Sequence, residues 1–478
     1  MNSIYRLAIY LNIIGLLLTI SFTNCNKFVE VDTPVSYTSG DDAYQTNANA
    51  IAVLNGIYAS MSSKTIPNGG SINSFMSFYP GLSADEFTLY SGVTNQNYIA
   101  FYHNELLNSS GPNVWTTCYP YIFQLNSAIE GISASKGLSK AVKDELLGEA
   151  KFLRAFNYFY LVNLYGPVPL AITSDYKINM LLSRSDTSKV YQQIVADLQD
   201  ASGLLNSNFV GKDAISVSTE RTVPNKWAAK ALLARVFLYR KDYGNAVVLS
   251  TEVINNTSLF SLTDLTDVFL KNSKEAIWQI QPVNLGWNTE DGKLFVIPRT
   301  GPSDNNPVYL SYQLLNSIEN NDLRFTNWID TITVGGILYR YPFKYKNATL
   351  NNSVTEYQMM LRLAEQYLIR SEANAQLNNF SASISDLNII RNRAGLPNYE
   401  GTNSQQILLD SIMHERQVEL FTEMGHRWMD LKRTGAVNNV MSDIAVNKGG
   451  VWSSNDQYYP ISTLELQYGP NLVQNEGY

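Results

Sequence analysis

Charge is scarce in this chain and histidine scarcer: charged residues make up 16% of 478, and three histidines are present. The formal net charge is -7, so the basic footprint that a nucleic-acid partner requires is missing. His414-Glu415-Arg416-Gln417-Val418 begins like a zinc-protease HExxH, but Val418 stands where the second imidazole belongs. Neither His103 nor His426 repairs that spacing, so the motif holds no metal. No Gly-rich phosphate loop, Ser-His-Asp arrangement or Cys-His pair stands out. The sequence therefore assigns no catalytic residue, metal or cofactor.

A long apolar run is also lacking. Leu7 to Ile20 follows Arg6 and falls short of the roughly 20 residues of a spanning helix. It fits the apolar core of a secretory signal. The run ends in Ser21-Phe22-Thr23-Asn24-Cys25, and a cysteine just past such a core is the acceptor in a bacterial lipoprotein signal. Phe22 and Asn24 depart from the usual box, so an ordinary signal peptide with an incidental cysteine is the alternative. Only two cysteines exist. Acylation of Cys25 leaves Cys118 alone and excludes an internal disulfide, so stability must come from a core that this length permits. Each buried methylene of a lipid contributes about 0.8 kcal/mol, so two or more chains make a stable anchor.

What is plentiful is tyrosine, 30 residues of it, whose flat face and polar tip suit cores and binding surfaces alike. The stretch that the rest of the chain must partner is GEAKFLRAFNYFYLVNLYGPVPL, from Gly148 to Leu170. Leu146, Ala150, Leu153, Asn157, Tyr160 or Leu161 and Leu164 recur at helical spacing beside a second stripe of Phe152, Phe156 and Phe159. Apolar residues over so much of the circumference predict a core helix packed on several sides. Gly166 is expected to take a left-handed cap, and Pro167 cannot continue the helix. Before it, Ala48, Ile51, Ala52, Leu54, Ile57 and Tyr58 fit a buried stripe. Lys64 to Gly111 reads as looser, with many aromatics. Helical spacing returns from Val114 through Ile132 and from Ser188 to Leu205.

Two later segments repeat one pattern. Small Ala234 is followed nine residues on by Tyr243 and twelve on by Ala246; Ser371, Phe380 and Ser383 keep the same spacing. That is the spacing of a tetratricopeptide helix pair, in which small side chains let antiparallel helices approach closely. With the flanking helices it predicts a mainly α fold, a right-handed stack of helix pairs. From about Asn255 to Tyr357 the helical period fades. Ala276 to Gln281 alternates like a strand and stops at Pro282, and a long irregular insertion on a helical frame is usually functional. The expected organisation is a signal peptide over 1–24, a lipid-anchored leash over 25–41, a helical part over 42–254, a loop-rich, partly β, ligand-facing insertion over 255–357 and a second helical part over 358–478.

Several ordered blocks carry a resemblance. They are Cys25 followed by Phe28-Val29-Glu30-Val31, the Gly148–Leu170 stretch, VPNKWAAKALLAR from Val223, LRLAEQYLIRSEANAQ with NIIRNRAGL, HERQVELFTEMGHRWMDLKR and the closing YYPISTLELQYGPNLVQNEGY. Over nearly its full length the sequence resembles the SusD/RagB family of nutrient-binding outer-membrane lipoproteins. The resemblance implies a tetratricopeptide-like helical fold with a loop-rich face and a surface-exposed, lipid-anchored protein of a Gram-negative outer membrane. It implies a partner, a SusC-like TonB-dependent β-barrel transporter, and a glycan ligand or, in a RagB-like branch, a peptide. It implies no enzyme.

Glu415, Arg416, Glu419, Glu423, Arg427 and Asp430 form a charged run around Leu420, Phe421, Trp428 and Leu431. Paired carboxylates are what a secreted glycoside hydrolase needs, yet Glu and Arg at three- and four-residue spacing are ordinarily ion pairs on a helix. Asp85-Glu86 has the same ambiguity, and a third class, a pure assembly scaffold, would bind no small ligand. The aromatics of the irregular segments are the better ligand candidates. One ring covering about 50 Å² of a sugar face contributes only about 1 kcal/mol, so three rings plus polar contacts are needed for millimolar to micromolar binding. Trp287, in a Gly-Trp-Asn turn, comes first, then Tyr90, Tyr98, Phe295 and Tyr309, with Asn95, Asn288 and Arg299 as hydroxyl partners. These are assigned by region, since no motif fixes them.

Overall fold

The helix Lys140–Tyr165 lies at the centre of the molecule, with nineteen of its side chains buried. Its faces are taken by the helices Asn47–Ser63, Val114–Ala134 and Thr187–Leu204. The computed structural model describes residues 43–63, 72–109, 114–402 and 404–478, of which Tyr44–Tyr478 is one compact unit. The signal peptide, Cys25 and the leash lie outside the described residues.

The central helix stops as expected but by another geometry. Gly166 donates its N–H to Val162 O, with φ +73° and ψ -131°, a region essentially restricted to glycine and different from the left-handed cap. The first helix buries Ala50, Leu54, Ile57 and Met61, whereas Ala48 and Ala52 are exposed; the larger side chains set the inward stripe. Within the segment that reads as loose, Ile72–Ser83 is a helix with all twelve residues buried, Pro80 included. Ile72, Phe75, Met76, Tyr79 and Leu82 keep helical spacing there, but Pro80 and Gly81 interrupt the stretch as turn signals do.

The repeat is seen directly. Lys226–Tyr239 pairs with Tyr243–Ile254, and Leu363–Gln376 pairs with Phe380–Arg393. The turn of each pair places one residue at positive φ, Lys241 at +60° and Asn378 at +62°. Ala234, Ala246, Ser371 and Ser383 are fully buried where the helices meet, and the Ser371 hydroxyl donates to Ser383 O at 2.8 Å. Tyr243–Ile254 packs in turn on Leu363–Gln376, so the pairs stack. The fold is mainly α with tetratricopeptide-like pairs. Ala234→Leu forces a larger side chain into this crossing and should cost about 1–3 kcal/mol, measured by denaturant unfolding. A neutral result would remove close approach as the reason for the repeat.

Strands are short. Ala276–Ile280, all buried, runs antiparallel to Gln358–Arg362. Its Trp278 meets Phe152 and Phe156 of the central helix edge-on at 5.0 and 5.2 Å, pinning the start of the insertion to the frame. Phe87–Leu89 pairs with Val308–Leu310. Ile329–Val334 and Ile337–Pro342 form a hairpin across Gly335 and Gly336, at φ +58° and +82°, the backbone that a two-residue hairpin turn demands.

Candidate functional site

Two segments far apart in sequence meet to form the irregular face. Thr88 stands opposite Tyr309 in the Phe87–Leu89 pairing, and Tyr90 donates its N–H to Pro307 O at 2.8 Å. Just beyond, Asp304 accepts hydrogen bonds from the Thr94 hydroxyl (2.6 Å) and N–H (2.9 Å). The same Thr94 contacts hold the Asp304 carboxyl below its ordinary range. The hairpin supplies the backing: Tyr339 is buried and meets Tyr309 at 5.2 Å and Tyr90 at 6.3 Å, both edge-on. Tyr90 and Tyr309 therefore stand half-buried, each fixed by an edge contact.

On one side of this pair lies a depression of about 520 Å³ lined by Trp287, Lys293, Val296, Pro298, Asn305 and Asn306. Val296 also packs on the hairpin cluster, so the two regions adjoin. Trp287 is half-buried with the Lys293 ammonium 5.0 Å from its ring centre. Asn306 Nδ2 donates to the carbonyls of Lys293, Leu294 and Val296, fixing the wall. On the other side Thr88, Tyr102, Tyr312, Gln313, Asn447 and Lys448 line a second depression of about 350 Å³. Tyr312 is 74% exposed. Trp287 thus lines one hollow and Tyr312 the other, each edged by amides or hydroxyls, while Tyr90 and Tyr309 stand half-exposed on the hairpin. Such a surface can stack on flat C–H faces and hydrogen-bond hydroxyls.

Three sequence candidates do not belong to it. Tyr98 is 1% exposed, packed between Phe78 and Tyr79. Phe295 is buried against Phe87 at 5.4 Å. Neither ring offers a ligand a face. Asn288 is buried as a clasp, its Oδ1 accepting the N–H groups of Thr355 and Glu356 and its Nδ2 donating to Ser353 O. Asn95 is half-buried and caps the helix Gln96–His103, its Oδ1 accepting the Asn97 N–H at 3.0 Å. Arg299 is exposed and forms no ion pair among the described residues. Tyr312 and Tyr339 were not read from sequence, although the alternation on both sides of Gly335-Gly336 marks the hairpin.

The charged run is structural. Glu419 is fully buried; its oxygens accept Arg362 Nη1 at 2.6 Å, Arg324 Nη1 at 2.9 Å and Arg393 Nη2. Burial alone would raise its pKa, but Arg393, Arg362 and Arg324 hold the carboxyl well below the usual range. Glu423 is likewise held down, by Arg362 and Lys344 against burial. Carboxylates so engaged cannot serve a glycosidase as acid and base. Asp85 is bidentate to Arg427 at 2.6 and 2.7 Å, and Glu86 accepts the Thr422 N–H. His414 contacts Ser317 O at 2.6 Å. Among the described residues no group of three His, Cys, Asp or Glu could hold a metal ion, and no helix is long and apolar enough to cross a membrane.

Two family descriptions match the chain in separate blocks. Residues 37–238 match one described as "Starch-binding associating with outer membrane", and residues 327–478 match the SusD family. The chain belongs to the SusD/RagB family. Its relatives include SusD-like protein P25 of Formosa agariphila, 23% identical over 97% of this chain and 98% of the relative. SusD-like protein P2 of the same organism is 27% identical over 96% and 98%. Among solved structures, a SusD superfamily protein of Bacteroides vulgatus superposes with TM-score 0.79 at 19% identity, covering 91% of this chain and all of that one. A laminarin-binding SusD-like protein superposes at 0.74 and 24% identity, over 91% and 100%. Surface glycan-binding protein A of Bacteroides uniformis superposes at 0.75 and 17%, over 90% and 99%. SusD/RagB membership accounts for the blocks along this chain, and the three superpositions for its fold.

Proposed function

We propose that this SusD/RagB member binds a nutrient oligosaccharide or polysaccharide on the face bordered by Trp287, Tyr90, Tyr309 and Tyr312. We further propose that it passes the glycan to a SusC-like TonB-dependent outer-membrane barrel. The observation that carries the reading is the pair of fixed, half-exposed rings on the hairpin together with Trp287 and Tyr312, each lining a hollow edged by amides or hydroxyls. Rings held by edge contacts lose little freedom on stacking, which favours a flat, hydroxyl-rich ligand. The same fold in a laminarin-binding protein and a surface glycan-binding protein is consistent with it. Cleavage of residues 1–24 and acylation of Cys25 would anchor the protein on the cell surface, with 25–41 as leash. Modest affinity suffices there, since a lid held against its transporter raises the effective concentration. No covalent step enters.

The test is calorimetric titration of the full chain in nonionic detergent with oligosaccharides and with peptides. Trp287→Ala should weaken glycan binding about fivefold, the value of one stacked ring. Changing Trp287, Tyr309 and Tyr312 together to Ala should lower it by about 100-fold. Heat from peptides alone would replace the glycan by the RagB-like ligand; hydrolysis products would reinstate an enzyme. Co-purification with the barrel tests delivery separately.

A further inference from the structure

A third cavity, away from the aromatic face, has acidic groups in its wall that form no ion pair among the described residues. It measures about 560 Å³ and lies between the helix Asn47–Ser63, the central helix, the 210–223 loop and the end of the Ala276–Ile280 strand. Ile51, Leu54, Leu146, Val210, Val223 and Ile280 give it apolar walls. Glu149, 3% exposed, lines it from the central helix, and its Oε2 accepts the Tyr58 hydroxyl at 2.8 Å. One turn back stands Glu145, also 3% exposed; its Oε2 accepts the Asn206 N–H at 2.8 Å and its Oε1 has no hydrogen-bond partner. Glu220 lines the cavity too. Its Oε1 accepts Asn272 Nδ2 at 2.9 Å, its buried Oε2 has no hydrogen-bond partner, and the Tyr357 hydroxyl faces the same carboxylate.

Like carboxylates four residues apart on a helix repel, and buried charges are ordinarily paired. Asp197, Glu275, Glu365, Glu415, Glu419 and Asp430 all face guanidinium groups, whereas Glu86, Asp291 and Glu356 are, like Glu145 and Glu149, buried without an ion pair among the described residues. Among the described residues no Lys, Arg or His pairs with Glu145, Glu149 or Glu220. Lys212 lines the cavity as an exposed residue without an ion pair. Unpartnered acceptors beside a roomy, half-apolar space call for donors that carry positive charge. A divalent ion wants more oxygen ligands than two separated carboxylates give.

We propose that this cavity is a binding site for a small primary ammonium compound, its cationic head against Glu149 and Glu220 and its body against the apolar walls. An amino sugar and an apolar amine share that chemistry. The site is separate from the aromatic face, so it stands or falls independently of the glycan reading.

The probes are glucosamine, cyclohexylamine and the neutral N-acetylglucosamine, titrated calorimetrically into the full chain in nonionic detergent. The amines should bind one per chain, and N-acetylglucosamine should give no heat at this site. Burial raises Glu149 to about 8 and Glu145 to about 7, so binding near neutral pH should release protons, and the heat should change with the buffer's ionisation enthalpy. Glu149→Gln keeps an acceptor for Tyr58 and should weaken binding roughly tenfold or more; Glu220→Gln, which leaves the helix pair untouched, should also weaken it. Trp287→Ala should leave it unchanged. Binding of glucosamine without cyclohexylamine identifies an amino sugar, and the reverse an apolar amine. No binding of either amine at millimolar concentration overturns the proposal. So does equal binding of N-acetylglucosamine, or affinity undiminished in both glutamate variants.

Discussion

Glu419→Gln should cost about 3–5 kcal/mol of folding stability, the usual consequence of removing one member of a buried ion pair. Glu419 accepts from three buried guanidinium groups, each of which also reaches at least one other carboxylate. Arg324 retains Asp322 at 2.8 Å and Glu415 at 2.6 Å. Arg362 retains Glu275 at 2.9 Å and Glu423 at 2.6 Å. Arg393 retains Glu275 at 2.5 Å. Lys344 joins the network through Glu423 at 2.5 Å and sits 4.0 Å from the Phe421 ring centre. A neutral amide at 419 removes the one carboxylate that all three guanidinium groups share and leaves their N–H donors facing a weaker acceptor where water cannot replace it. The effect should reach beyond global stability. Arg324, Lys344 and Glu275 come from the irregular part of the chain and Arg362 from the strand Gln358–Arg362, whereas Glu415 and Glu419 lie on the helix Gln405–Glu419 and Glu423 in the turn after it. The network therefore ties the ring-bearing hairpin to the helical frame, and hydrogen exchange across Ile329–Pro342 should quicken in the variant. Denaturant unfolding that moves by less than about 1 kcal/mol would make the network ornamental.

How far this was legible in the sequence depends on how local each signal is. The central helix and both helix pairs announce themselves, because helical period and small-residue spacing are written within about thirty residues. The helix Ile72–Ser83 does not, since Pro80 and Gly81 argue against it although Ile72, Phe75, Met76, Tyr79 and Leu82 keep helical spacing. The charged run suggested ion pairs correctly, but on a helix surface. Arg416 and Asp430 pair within the run, but Glu415, Glu419 and Glu423 meet Arg324, Lys344, Arg362, Arg391 and Arg393, and Arg427 meets Asp85; no pattern within 415–430 says that those segments converge there.

The binding face was legible by region and not by residue. An aromatic in an irregular stretch points inward or outward according to contacts made by distant segments. Tyr98 and Phe295 turn in because Phe78, Tyr79 and Phe87 wait beneath them. Tyr90 and Tyr309 stay half out because the hairpin reaches only one edge of each. Asn288 looked like a hydroxyl partner, yet its amide is spent on the backbone of residues 353–356. The acidic cavity was invisible for a related reason: four-residue spacing of Glu145 and Glu149 is commonplace, and only the tertiary fold removes their cations.

That cavity also sets the second large effect. Glu149→Gln should stabilise the protein by up to about 4 kcal/mol near pH 8, and the gain should vanish toward pH 4. The sign follows from where the proton sits. Burial, then repulsion from Glu145, raises Glu149 to about 8, with the Tyr58 hydroxyl pulling the other way; burial raises Glu145 to about 7, against the Asn206 N–H. Below the ordinary glutamate range both folded and unfolded chains hold the protons, so nothing is lost or gained. Between that range and about pH 8 the unfolded chain releases protons that the folded one keeps, so each rise in pH favours unfolding. Above about 8 the folded carboxyl ionises too, and the penalty is complete. A glutamine never enters this cycle. Tyr58→Phe removes the one donor that eases ionisation of Glu149 and should deepen the loss at high pH. Unfolding free energies of the native chain and both variants, measured from pH 4 to 9, decide the matter: parallel curves would mean that Glu149 meets water or a cation in the folded state. A curve that converges on the glutamine variant only when an amine is added would join this linkage to the ligand.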